Sequence, residues 1–271
     1  MSLVVGLSLL IKIYDFFNEV GLSKIYEKIL EKKINRNKVP KHVGVIMDGN
    51  RRLAKLLGEK PIKGHYLGAK KVREFIRWCI DLDIETVTLY SFSLENFHRP
   101  KEEVEALMDL FEREFRSIAE DPDVHKYEIS IKAIGRLHLL PKRVQEAIRY
   151  AEERTKNYNR YRVNIAIAYG GRQELVDAVK KIAEKVKNNE LNIEDITVET
   201  ISQHLYTAYL PHPDPDLIIR TSGEERISNF LIWQSSYSEL YFCDIYWPKF
   251  RKIDFLRAIR DYQRRVRRFG R

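Results

Sequence analysis

The sequence predicts an α/β fold: one domain with a mainly parallel six-stranded sheet flanked by helices. Three observations predict it. Short apolar or β-branched runs alternate with helical patterns along the whole chain, as in sheets built with crossover helices. Several runs are continuously apolar, as strands covered on both faces require. Polar clusters directly follow three of the runs, and in such sheets ligands bind beyond the carboxyl ends of strands.

In chain order, the strand candidates are His42–Met47, Thr86–Phe92, Glu128–Ile134, Val163–Ala168, Leu217–Arg220 and Leu240–Phe242. A short helix is expected around Asn50–Leu57 and a longer one over Tyr66–Leu82, after Pro61 and Gly64. Lys101–Ala119 starts after Pro100, with Glu102 and Glu103 in a first turn where acids favour the helix dipole. Its apolar set Val104, Leu107, Met108, Phe111 and Phe115 repeats at helical spacing. Pro141–Tyr158, Gln173–Val186, Val198–Tyr206 and Ile253–Arg268 complete the helices. No internal repeat or low-complexity linker interrupts the order. Residues 1–37 read as an N-terminal helical segment and 38–271 as the main domain.

Charge is concentrated at the ends. The chain of 271 residues carries a net charge of +9. Residues 251–271 contribute +7 and residues 1–41 contribute +4, leaving the body at about −2. Cys79 and Cys243 are the two cysteines and form no CxxC or Cys/His cluster, which argues against structural zinc and fits a reducing cytoplasm. Met1–Phe17 is apolar but lacks a basic leader and a cleavage site, and its uncharged run is short of the ~20 residues of a membrane span. It reads equally as a packed helix or as an amphipathic helix lying on a membrane surface.

The first polar cluster, Met47-Asp48-Gly49-Asn50-Arg51-Arg52, puts an acid at a strand end, then a glycine turn, then a helix start with two arginines. Helix amides beside arginines suit a diphosphate, and a carboxylate at the edge suits Mg²⁺ bridging phosphate oxygens. The second cluster is Ser91-Phe92-Ser93-Leu94-Glu95-Asn96-Phe97-His98-Arg99-Pro100, in which Phe97 must be buried or cover something. The third, Arg220-Thr221-Ser222-Gly223-Glu224-Glu225-Arg226-Ile227-Ser228-Asn229-Phe230, again suits an anion. Singly, each is also readable as an ordinary polar turn; three at three strand ends point to a site. Glu239 enters an aromatic strand, where an acid needs a partner or a metal. His65, between Gly64 and a helix, is by itself more often structural. No Walker loop, GxSxG or HExxH is present.

These motifs, with Gly64-His65, Ala168-Tyr169-Gly170-Gly171-Arg172, Leu231-Ile232-Trp233-Gln234 and Glu239-Leu240-Tyr241-Phe242, resemble the cis-prenyltransferases over roughly residues 38–270. That family includes undecaprenyl and dehydrodolichyl diphosphate synthases. The resemblance implies the family fold and a Mg²⁺-dependent condensation of isopentenyl diphosphate onto an allylic diphosphate. The implied primer is geranylgeranyl or farnesyl diphosphate, and the product a long polyprenyl diphosphate, precursor of a glycosyl carrier lipid. It implies Asp48 as the essential acid, with Asn96 at the proton-removal position and His65, Ser93 and Arg99 beside the reacting diphosphates. Gly49, Asn50, Arg51 and Arg52 correspond to the allylic diphosphate loop, and Leu53, Glu95 and Phe97 to further substrate-binding positions. Arg220, Arg226 and Ser228 match the isopentenyl diphosphate site, and Glu239 the second magnesium-associated acid. Arg268-Phe269-Gly270 resembles an RxG element that completes a neighbouring active site in a homodimer. The cysteine usage and the N-terminal segment fit a cytoplasmic enzyme, with or without peripheral contact at the membrane's inner face.

Arg51 stands where bacterial members carry glycine, as in dehydrodolichyl-type enzymes; Leu53 and Phe97 stand where tryptophans are common. Pro61 replaces an arginine that contacts diphosphate, with Lys60 and Lys63 nearby. Two alternatives remain from the residues alone: a non-catalytic partner subunit, which would tend to lose the acids and arginines kept here, and a nucleic-acid binder using Arg264, Arg265, Arg267 and Arg268. The neutral body argues against the latter.

Overall fold

His42–Ile46 forms a strand, β1, whose five residues are all buried. Such a run can only sit inside a sheet covered on both faces. In the computed structural model, which describes residues 22–265, β1 pairs in parallel with β2 (Thr86–Ser93) and β5 (Leu217–Arg220). The complete order is β3-β4-β2-β1-β5-β6, with β3 spanning Ile129–Ile134, β4 Tyr161–Tyr169 and β6 Glu239–Phe242. Every pairing is parallel. β5 is wholly buried, whereas the edge strand β6 is half-buried throughout. The expected α/β class, with its six-stranded sheet, is the one observed.

The strand order turns at β1. On one side of β1 lie β2, β4 and β3 in outward order, whereas β5 and β6 lie on the other side. A crevice therefore opens beyond the carboxyl ends of β1 and β5, the usual ligand position in such sheets.

Two helices follow β1. α1 lies near the N-terminus (Leu22–Lys33), α2 is Asn50–Leu56 and α3 is Pro61–Asp81. α3 begins at Pro61, five residues earlier than the sequence reading, because proline suits the first helical position. His65 therefore lies within the helix, not before it. Cβ atoms at Gly64 and Gly68 would collide with Asn50, so both glycines let α3 approach α2. α4 (Lys101–Ala119) and α6 (Lys142–Thr155) pack together, with the short α5 (Pro122–Lys126) between them in sequence. α7 is Gly171–Lys187 and α8 is Val198–Ser202. α8 stops before Tyr206 because the Tyr206 amide donates to Glu174 (2.7 Å) rather than back along a helix.

The sheet and these helices form one compact unit, residues 40–249. Residues 22–39 group with 250–265 in another. There α9 (Lys252–Arg264) packs on α1, with Lys252 Nζ 3.3 Å from Glu31 and Gln263 Nε2 donating to the Asn35 carbonyl at 2.7 Å. The apolar segment Met1–Phe17 and the Arg268–Gly270 element lie outside the described residues.

Candidate active site

A cavity of about 620 Å³ opens beyond the carboxyl ends of β1, β2 and β5. Twelve of the residues singled out from the sequence line it: Asp48, Gly49, Asn50, Arg51, Arg52, His65, Ser93, Glu95, Asn96, Arg99, Arg220 and Ser228. Three distant polar clusters thus converge on one space. The convergence follows from parallel strands, which deliver all their carboxyl ends to the same edge.

Asp48 leaves β1 and meets Arg220, the last residue of β5. Arg220 Nη2 donates to Asp48 Oδ2 at 2.9 Å, Arg52 lies 3.0 Å from the same oxygen, and the Gly49 amide donates to Oδ1 at 2.6 Å. Burial opposes ionisation of Asp48, but these donors outweigh it and hold the carboxyl below its usual value. Gly49 adopts φ 99°, a left-handed conformation, and a Cβ there would collide with Tyr246 and Ser222.

Arg220 is 4% exposed. Its Nη1 donates to Ser228 Oγ at 2.7 Å and to the Arg226 carbonyl. Arg52 donates to the Ser222 carbonyl and Glu224, both at 3.1 Å. Arg226 itself is exposed, pairs with Glu224 and does not line the cavity. The third loop is held open by left-handed backbone at Ser222, Ser228, Asn229 and Leu231.

On the opposite wall, Asn96 Oδ1 accepts from the Ser93 amide at 3.2 Å, fixing the Leu94–His98 turn. Glu103, on the first turn of α4, gathers the groups above it. Arg99 donates to its Oε1 at 3.2 Å, and Arg51 Nε lies 3.3 Å away. His65 Nε2 is 3.8 Å from that oxygen, but burial and then the neighbouring Arg99 and Arg51 push the imidazole down to about 4. It is therefore neutral near pH 7, and the contact is not an ion pair.

Asn50 Oδ1, His65 Nε2 and Arg220 Nε are buried without a hydrogen-bond partner among the described residues. All three belong to residues lining this cavity. Buried polar atoms are normally satisfied, so three orphans in one space mark it as built for a polar ligand. Four arginines against two carboxylates make that ligand an anion.

The polar cavity continues into an apolar one of about 110 Å³, which shares Met47, Asn50, His65 and Ser91 with it. Leu107, Phe111 and Phe115 of α4 line the second space, whereas Val104 and Met108 do not. Met108 is a core residue, 1% exposed.

Several expected site residues lie elsewhere. Leu53 is buried in α2, and Phe97 packs edge-on against Phe92 with ring centroids 4.9 Å apart. Lys63 lines a different surface hollow, with Lys70 and Arg113, and neither Lys60 nor Lys63 reaches the diphosphate-sized cavity. Glu239 is registered on Leu217, at the amino end of its strand, whereas Arg220 and the segment after β1 stand at the carboxyl end. Within one chain the structure does not bring Glu239 to Asp48.

Three residues lining or supporting the site were not chosen from the sequence. Glu103 read only as a dipole-favouring acid. Tyr90 read as an ordinary strand residue, yet it stacks on Phe230 (4.8 Å) and its hydroxyl donates to the Ser228 carbonyl at 3.3 Å. Asn229 joins three elements: its Oδ1 accepts from the Arg172 amide (2.8 Å), its carbonyl from the Gly171 amide (2.8 Å), and its Nδ2 donates to Glu95 (3.2 Å). Gly170 and Gly171 permit this, since a Cβ at either would meet Asn229 or Ile232.

Residues 46–270 match the family model described as "Putative undecaprenyl diphosphate synthase". A tritrans,polycis-undecaprenyl-diphosphate synthase (geranylgeranyl-diphosphate specific) of Methanocaldococcus jannaschii is 67% identical over 266 residues, covering 98% of this chain and 95% of that protein. The synthase of the same name from Methanopyrus kandleri is 54% identical, covering 92% and 91%. Among solved structures, lavandulyl diphosphate synthase of Lavandula x intermedia, in complex with dimethylallyl diphosphate, superposes with TM-score 0.84 at 38% identity, covering 87% of this chain and all of that one. With this match over most of its length, the chain belongs to the undecaprenyl diphosphate synthase family of prenyltransferases.

Proposed function

We propose that the protein condenses isopentenyl diphosphate repeatedly onto an allylic diphosphate, with geranylgeranyl diphosphate as primer. The primer rests on the relatives named as specific for it. One observation carries the reading at the site: three residues that hold orphaned buried polar atoms line an arginine-lined cavity that continues into an apolar one. A diphosphate fits the first space, and the apolar lining of the second suits the start of a prenyl tail.

Arg51 and Arg52 hold the allylic diphosphate, and Arg220 with Ser228 holds that of isopentenyl diphosphate. The allylic C1–O bond breaks and its electron pair leaves with the diphosphate. The isopentenyl double bond forms the new bond to C1, and a proton leaves the adjacent carbon for a diphosphate oxygen. Asn96 cannot take that proton by its acidity; its amide is fixed by Ser93 and positions the acceptor. Fixing both substrates contributes roughly 7–11 kcal/mol to lowering the barrier.

Mg²⁺ commonly binds through one or two carboxylates together with substrate phosphates. Asp48, an ionised carboxylate at the cavity wall, fits that role. No group of three or more His, Cys, Asp or Glu gathers among the described residues, so a cation would be held by Asp48 with the phosphates of the substrate. When bound, the ion neutralises charge on the departing diphosphate.

A homodimer completed by Arg268–Gly270 belongs to the same reading through the family resemblance, and contact of the N-terminal segment with a membrane through that segment's apolar composition. No described helix is long and apolar enough to cross a membrane. Sedimentation of the protein with and without vesicles tests both.

Labelled isopentenyl diphosphate, supplied with geranyl, farnesyl or geranylgeranyl diphosphate and with Mg²⁺ or EDTA, tests the function. Mg²⁺-dependent long products, greatest with geranylgeranyl diphosphate, are expected. No product from folded protein would turn the reading to a non-catalytic partner subunit.

A further inference from the structure

The apolar cavity ends at an ionic cluster. Arg73 of α3 reaches the far half of α4 and the turn after it, donating to Asp121 at 2.5 Å, Ser117 Oγ at 2.9 Å and Glu114 at 3.3 Å. Arg73, Glu114 and Ile118 line the end of this cavity. On the other side of the same cluster lies another hollow, of about 360 Å³, which Arg73 and Ile118 also line. Its base is apolar, formed by Ile80, Val124, Ile129 and Ile131, and its rim carries the Arg77–Asp123 pair. Two apolar spaces thus stand end to end, divided by one arginine and one isoleucine.

The first space is too small for its task. Its volume of about 110 Å³ is below the ~150 Å³ of a cavity that admits a single benzene. A prenyl chain of many isoprene units must spread α3 from α4 or pass beyond the end. Both movements meet the same obstacle, because Arg73 ties the two helices together across that end. Advancing an apolar tail there breaks charge-assisted hydrogen bonds and leaves charged groups against hydrocarbon.

We propose that Arg73, held by Glu114, Ser117 and Asp121, is the stop at which chain elongation ends, and so a determinant of product length. This rests on the prenyl-chain reading of the apolar cavity. With the guanidinium gone, the two spaces merge, and the tail gains the hollow lined by Val124, Ile129 and Ile131. Arg73 touches no diphosphate, so its loss acts on the tail. Its side chain is 40% exposed, and the carboxylates it leaves, Glu114 and Asp121, are 31% and 21% exposed.

The test is the product ladder of Arg73→Ala, Arg73→Lys, Glu114→Gln and Arg77→Ala beside the parent, with labelled isopentenyl diphosphate, and the rate of the first condensation measured separately. Arg73→Ala is expected to lengthen the products by whole isoprene units. Glu114→Gln, which loosens the cluster, lengthens them less, and Arg73→Lys and Arg77→Ala keep the parental ladder. A parental ladder from Arg73→Ala would overturn the stop, as would equal lengthening by Arg77→Ala, which borders only the outer hollow. A parent that makes no product at all would instead overturn the functional reading beneath it.

Discussion

Arg220 donates to Asp48 at 2.9 Å, joining the carboxyl end of β5 to the segment leaving β1 across the point where the strand order turns. One bond thereby links the acid of the first polar loop to the arginine that organises the third. Asp48→Asn keeps an acceptor of the same shape but removes its charge. It is expected to lower kcat by roughly 10²–10³, the usual cost of losing a group that manages developing charge. Its melting temperature should fall, because Arg220, buried, loses its carboxylate partner. Single-turnover kinetics alongside calorimetry checks both.

Acid should weaken the fold through its buried histidines. Burial pushes His42 down to about 4, and burial with nearby arginines pushes His65 there too, from an ordinary 6.5. Between those values the unfolded chain takes up protons that the folded chain refuses, so stability falls as pH drops from 6.5 towards 4. Each histidine contributes a loss of about 3 kcal/mol when the interval is fully crossed. Urea unfolding from pH 7.5 to 4.5 measures the slope, and His65→Gln should flatten it by about half of the histidine share. An unchanged slope would refute the neutral, buried imidazole.

Asn229 couples the third loop to α7 and to Glu95. Its φ of 65° is left-handed, so Asn229→Gly keeps the backbone while deleting the side-chain bonds. The expected cost is about 1 kcal/mol, the net size of a lost hydrogen bond. KM for isopentenyl diphosphate should rise more than kcat falls, because Ser228 loses its support. Equal changes in both would mean that Asn229 acts only on general stability.

Gly64 has no room for a side chain. A Cβ there would strike the Asn50 carbonyl, which is backbone and cannot swing aside. Gly64→Ala is expected to destabilise by roughly 1–3 kcal/mol and to depress activity further by displacing Asn50 from the cavity. Thermal unfolding and turnover, compared with Gly58→Ala, separate these effects; Gly58 meets nothing within 4 Å, although its own positive φ disfavours alanine.

What the sequence by itself determined is the parallel sheet, the three anion-suited loops and most of the cavity lining. Those are local properties. Continuous apolar runs specify buried strands, and polar clusters at strand ends inherit a common location from the topology. Tertiary structure decided what depends on packing and register. Glu103 looks like any first-turn acid until α4 carries it to Arg51, Arg99 and His65. Leu53 and Phe97 stand at motif positions, but Leu53 is buried in α2 and Phe97 packs on Phe92, because an apolar side chain beside a polar cavity gains more by facing away from it. Glu239 shows the same limit most plainly. Its strand was legible, but the parallel register placing it on Leu217 rather than beside Arg220 is set by contacts between residues far apart in sequence. The ionic end of the apolar cavity likewise exists only where α3 and α4 meet, since Arg73 and Asp121 acquire their relation from helix packing alone.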